Sequence, residues 1–266
     1  NWIPIPYLHT SPYAGWTVSI ITALFMLVAG YLWLMHMIKK AKRKGEYFIS
    51  RTGDQMEDRN KLPNPFLSMI PLLIVLLVSF FLHDTLEQSA LIVALTSGII
   101  ATWLLNKSYF KDFWKAVGKG TEGALIALGN TSAVVGFGGV AKVTPAFNDA
   151  IDYVTNLPGS PLITGAFAVM VIAGLTGSSS GGQSIALPIL APHYLDMGVN
   201  ADAMHRTISM SSGTLDSLPH GGYTVTTIRS IAGETHKDAY GAFGAMTVIV
   251  PLVAVILAIG LFMLGL

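Results

Sequence analysis

Thr176-Gly177-Ser178-Ser179-Ser180-Gly181-Gly182-Gln183-Ser184 stands at the centre of a run, Tyr153 to Leu195, that contains no Asp, Glu, Lys or Arg. At about 1.5 Å per residue, a continuous helix of that length would cross a hydrocarbon core of about 30 Å twice. One straight helix is therefore excluded. The flanks, 161–175 and Ile185–Leu190, are apolar, while the centre is polar and dense in glycine. Glycine weakens helices and serine competes for backbone hydrogen bonds, so the pattern predicts an unwound stretch between two half-helices. Backbone unwound at membrane depth is tolerated only where it is buried in protein or lines an aqueous cavity, so the stretch implies a binding site.

Two other places break the helical pattern. Gly129-Asn130-Thr131-Ser132, followed by Gly136-Phe137-Gly138-Gly139, lies in the apolar segment 124–147, which Pro145 closes. That segment fits a re-entrant hairpin with its polar residues at the tip, or one plain crossing. The third place is Ser211-Ser212-Gly213-Thr214-Leu215-Asp216-Ser217-Leu218-Pro219-His220-Gly221-Gly222. There Pro219 disfavours helical geometry at Leu218 and removes a backbone donor.

The rest of the chain sets these breaks in a membrane. Of its 266 residues, 52% are hydrophobic and only 12% charged, about half the charged share of a soluble domain. A net charge of +1 gives no field for nucleic acid, and the absence of cysteine removes disulfides, thiolate metal sites and cysteine nucleophiles. Residues 13–38, 66–82, 89–105 and 243–266 read as ordinary transmembrane helices. Asn1 to Pro6 carry no basic n-region or signal-peptide cleavage pattern.

The segment 39–65 carries Lys39, Lys40, Lys42, Arg43, Lys44, Arg51, Arg59 and Lys61, half of all the basic residues, and the positive-inside rule puts it in the cytoplasm. After two more crossings, Lys107, Lys111, Lys115 and Lys119 recur every four residues with aromatics between them. This predicts an amphipathic helix over 106–123 in the headgroup plane, with a solvated linker as the plainer alternative. The expected architecture is an all-α polytopic membrane protein: a leading segment and first span over 1–38, a basic loop over 39–65, two scaffold helices over 66–105, the interfacial helix over 106–123, a transport region with hairpin and broken helices over 124–242, and a last span over 243–266.

Half-helices that end inside a membrane aim backbone amides and a partial positive charge into the cavity, which makes a ready anion site. The polar groups available are Asn130, Thr131, Ser132, Ser178, Ser179, Ser180, Thr214 and Ser217. Amides and hydroxyls both donate and accept, and none repels an anion. Asp216 and His220 are the ionisable pair, costly to bury and therefore candidates for proton coupling. The plainer readings are that the small residues are packing seams, that Asp216 caps a half-helix, and that His220 is a satisfied packing residue. Arg206 and Arg229 read as snorkelling side chains rather than substrate counter-charges. Gly177-Ser178-Ser179-Ser180-Gly181 also matches G-x-S-x-G, so an intramembrane serine hydrolase using Ser179 with His220 as base is an alternative from another class. No cofactor and no metal site is expected.

TGSSSGGQSIALPIL (176–190), SSGTLDSLPHGG (211–222), the Thr235-His236-Lys237 stretch and NTSAVVGFGGVAKVTPAF (130–147) resemble the C-terminal part of the gluconate permease (GntP) family of the ion transporter superfamily. The resemblance runs over most of 120–266 and more loosely over 1–119. It implies a multi-pass bacterial inner-membrane symporter that couples H⁺ entry, or Na⁺ entry, to uptake of gluconate or a related hydroxy or keto acid such as 3-hydroxybutyrate. It further implies inverted repeats, each with a hairpin and a broken helix, and a homodimer in the lipid bilayer. Asn130-Thr131 matches the superfamily's hairpin-tip signature of substrate or cation ligands. Members are much longer, so this chain would supply the second repeat, and they often carry Asn where this chain has Gly221.

Overall fold

The computed structural model describes residues 2–47, 62–87, 89–110, 112–141, 143–145, 149, 152–153 and 156–266, with the side chains at 130, 131, 134, 135, 137, 138, 141 and 230 outside that description. Among the described residues every regular element is helical. In chain order these are α1 (Ile5–Leu8), α2 (Trp16–Arg43), α3 (Pro65–Leu86), α4 (Ser89–Leu105), α5 (Phe113–Ala141), α6 (Pro161–Thr176), α7 (Ser179–Asp196), α8 (Ala201–Leu215), α9 (Gly222–Val225), α10 (His236–Gly244) and α11 (Val250–Met263). A 3₁₀ turn covers Lys107–Tyr109, and π-helical stretches at Thr226–Ile231 and Ala245–Ile249 extend α9 and join α10 to α11.

Three helices are long and apolar enough to cross a membrane: α2 with 28 residues, α3 with 22, and the continuous His236–Met263 with 28. Their large apolar side chains stay exposed, as at Leu27 (69%) and Leu76 (62%), which suits contact with lipid tails rather than water. The protein is an all-α polytopic membrane protein. The last span starts at His236 rather than 243, because Thr235 caps it: its Oγ1 accepts from the Asp238 amide at 3.3 Å.

Residues 48–127 make up one compact unit. Its centre is the pair α3 and α4, where Ala90, Ala94 and Gly98 recur every four residues on the buried face of α4. With no side chain, Gly98 admits Val75 of α3 at close range. Small residues let membrane helices approach closely enough for dispersion to hold them. Trp103 packs on Phe113 with ring centroids 5.0 Å apart, and Lys107 Nζ lies 5.7 Å from the Trp103 ring.

The expectation for 106–147 is corrected in part. The basic-aromatic segment does not stand as a separate interfacial helix over 106–123, because Phe113 onward forms the first turns of α5. That helix continues unbroken to Ala141, so Gly129–Ser132 is helical backbone rather than a hairpin tip. Glycine costs a helix about 1 kcal/mol without forbidding it, and no proline removes a donor before Pro145.

The other unit comprises residues 1–47 and 128–266. Leu187, Leu190, Tyr194, Met204, Ile208 and Val255 are each at most 1% exposed and form its core, where α6, α7, α8 and α11 meet. A Cβ on Gly182 would lie 2.7 Å from Ala173 Cα, so glycine is what allows α7 to press against α6. The Tyr194 and Thr164 hydroxyls hydrogen-bond at 3.1 Å, which satisfies both inside the apolar core. Arg206 does not snorkel: its Nε and Nη2 donate to Ala14 O at 2.9 and 2.6 Å, tying the loop before α2 to α8.

Candidate functional site

The first break is narrower than 176–184. Gly177 takes a left-handed φ of 61° after Thr176, and its amide donates to Gly174 O at 3.3 Å while the Ser178 amide donates to Ala173 O at 3.2 Å. These two reversed bonds form a Schellman end, which only glycine enters without strain. Ser178 then caps α7, its Oγ accepting from the Gly181 amide at 3.1 Å. Ser179 to Ser184 are already helical, because the first turn of a helix tolerates serine and glycine.

The second break begins at Gly213, whose φ of −86° and ψ of 15° depart from the helix before α8 ends at Leu215. Residues 216–221 fold back on themselves, with the Gly221 amide donating to Leu218 O at 2.8 Å. A Cβ on Gly221 would collide with Asp216 O, so this position accepts no side chain without movement.

The two breaks meet. A Cβ on Gly177 would lie 2.9 Å from Gly221 Cα, so the interrupted backbones touch directly. Around that contact the ionisable pair is distributed crosswise. The Asp216 carboxylate accepts from Ser217 Oγ at 2.9 Å and lies close to the Ser179 backbone amide at the start of α7. His220 Nε2 lies 2.7 Å from Gly174 O at the end of α6. A carbonyl only accepts, so that ring nitrogen carries the proton. An acid thus sits near the amide end of one half-helix and an imidazole N–H at the carbonyl end of the other. Four positions apart in sequence, the two do not share a helix face, because the helix has ended before either.

The structure brings together Ser178, Ser179, Ser180, Asp216, Ser217 and His220. Ser178 and Ser180 lie 3.4 Å apart through their hydroxyls, and Ser217 O accepts from Tyr240 Oη at 3.2 Å. Thr214 is fully buried and donates to Ser211 O at 2.7 Å, so it supports α8. Ser132 is exposed on α5. The side chains of Asn130 and Thr131 lie outside the described residues.

Sequence reading overlooks Gln183 as a site residue. It is 5% exposed, and its Nε2 donates at 2.7 Å to Ser212 Oγ, which in turn donates to Ser209 O at 3.1 Å. Among the described residues Gln183 Oε1 and Ser211 Oγ are buried without a partner, which marks this flank of the breaks as polar and unsaturated. The signal in the sequence is that Gln183 is the one Asn or Gln between Ser160 and Pro192.

For the hydrolase alternative, a helix and a turn lead into Ser179 in place of the strand that a nucleophile elbow uses, and His220 Nε2 is engaged with Gly174 O. Among the described residues no group of three or more His, Asp or Glu converges where a metal ion could sit.

The chain is 31% identical, over 291 residues, to a protein of Bacillus subtilis (strain 168) described as "Uncharacterized transporter YxjC". The match takes in 94% of this chain and 61% of that relative, so the chain spans about three-fifths of the relative's length. No family model matches the chain, and no solved structure matches it. By fold and by similarity together, this is a polytopic helical membrane protein related to a transporter.

Proposed function

We propose that the chain forms one repeat of the transport core of a secondary active transporter for small organic anions, gluconate or a shorter acid such as 3-hydroxybutyrate, coupled to proton entry. The setting is a bacterial inner membrane and the working unit a homodimer. The observation that carries this reading is the contact of two helix breaks with Asp216 at the head of α7 and His220 at the end of α6.

A helix N-terminus favours one negative charge, and here Asp216 supplies it. A substrate carboxylate presented to the same amide competes with that side chain. Protonation of Asp216 discharges it and weakens its hold on Ser179, leaving the amide and the hydroxyls of Ser178, Ser180 and Ser217 for the incoming anion. Proton and anion binding then favour one another, which is the linkage that a symporter needs. Asn130 and Thr131 are proposed as substrate or cation ligands on the strength of the family signature alone.

The test is uptake of radiolabelled gluconate, 3-hydroxybutyrate and lactate by the whole transporter that contains this repeat, in proteoliposomes, under an imposed pH gradient and, separately, a sodium gradient. Accumulation that follows the pH gradient supports the proposal. Accumulation that follows sodium alone replaces the proton, and accumulation under neither removes the reading.

A further inference from the structure

The C-terminal half of α2 borders a groove of about 700 Å³ whose wall changes character along its length. Ala29, Leu32 and Trp33 line the part toward the middle of the span, and His36, Lys40 and Lys44 follow on the same face at spacings of three and four. Gly241 of α10 lies on the groove and presents no side chain to fill it. The one acidic group lining it is Glu46, whose Oε1 lies 4.0 Å from Lys44 Nζ with both side chains more than half exposed. An ion pair so open to solvent holds little free energy, so it leaves Lys44 available. Lys40 has no ion-pair partner among the described residues.

We infer that this groove is a binding site for an anionic phospholipid, whose phosphate lies between Lys40 and Lys44 while one acyl chain runs along Ala29, Leu32 and Trp33. The groove combines an apolar floor at acyl depth with two ammonium groups at headgroup level, an order that matches a lipid and not a soluble phosphate. Trp33 stands between the two zones, where an indole is most stable in a bilayer. The basic segment that follows puts this end of α2 at the cytoplasmic face, and basic pockets on that face attract anionic headgroups.

Native mass spectrometry of the full chain, released from detergent with added dioleoyl phosphatidylglycerol or dioleoyl phosphatidylcholine, reads the site directly. Wild-type protein is expected to retain phosphatidylglycerol in preference to phosphatidylcholine. Lys40→Gln with Lys44→Gln is expected to weaken that retention by about 30-fold, two lysines' worth of surface attraction. Lys39→Gln with Lys42→Gln removes equal charge from residues that do not line the groove, and is expected to weaken retention less. All four lysines are exposed, so neither variant disturbs packing. Equal weakening by both double variants would reduce the site to diffuse attraction by a basic segment. Equal retention of the two lipids, or retention of neither because protein fills the groove, would overturn the inference outright.

Discussion

His220, on the turn that follows α8, donates its Nε2 proton to the carbonyl of Gly174 in the last turn of α6, 2.7 Å away and 46 positions earlier in the chain. This bond crosses from one helix break to the other, and its partner is a carbonyl already engaged by the Schellman turn at Gly177. The two interruptions are therefore one structural feature, built from segments that are remote in sequence. Replacing His220 by Gln preserves a donor and is expected to keep the contact, whereas His220→Ala leaves it open. A loss of about 1 kcal/mol is expected for Ala relative to Gln, measured by thermal unfolding in detergent.

Gly177→Ala should destabilise more strongly. The new methyl group combines a left-handed φ of 61° with a position 2.9 Å from Gly221 Cα. Conformational strain and overpacking together are expected to cost about 2–4 kcal/mol. Gly123→Ala in α5 is the control, since a methyl group there meets nothing within 4 Å and helix propensity favours alanine. Unchanged stability of Gly177→Ala would mean that the breaks do not touch.

Much of this is legible in sequence, for reasons that differ by element. Spans such as α2 and α3 declare themselves by length and hydropathy. The breaks at Gly177 and around Pro219 declare themselves because glycine, serine and proline change what the backbone itself can do. Composition overstates the width of the first break, since Ser179 to Ser184 are acceptable in a helix's opening turn. The Gly129–Ser132 stretch is likewise built of glycine and small polar residues, yet there the helix persists. Pairings such as His220 with Gly174, or Gln183 with Ser212, depend on how α6, α7 and α8 pack, and no local pattern records that.

Gln183 and Ser212 should be energetically coupled. Their bond is 2.7 Å long and wholly buried, and one end of the amide already lacks a partner. A double-mutant cycle of Gln183→Leu and Ser212→Ala is expected to give a coupling of about 0.5–1.5 kcal/mol in thermal or denaturant unfolding. Strict additivity would show that the contact contributes nothing.

Arg206→Gln should loosen the segment before α2 without opening the core. The guanidinium reaches Ala14 O through two nitrogens, and Nη2 lies 3.4 Å from Pro12 O. Faster amide hydrogen exchange is expected over residues 13–16, with the amides between Leu187 and Tyr194 unaffected. Uniform acceleration across the core would instead assign Arg206 a role in global stability.

In the proposed mechanism Asp216 stays at the head of α7 until a proton releases it. The most direct measurement compares wild type with Asp216→Asn in proteoliposomes, following labelled gluconate or 3-hydroxybutyrate in two modes. One mode is uptake driven by a pH gradient and the other is exchange between equal internal and external pools without a gradient. The variant should still exchange but no longer accumulate in response to the gradient. Gradient-driven accumulation by Asp216→Asn equal to that of the wild type would contradict the account.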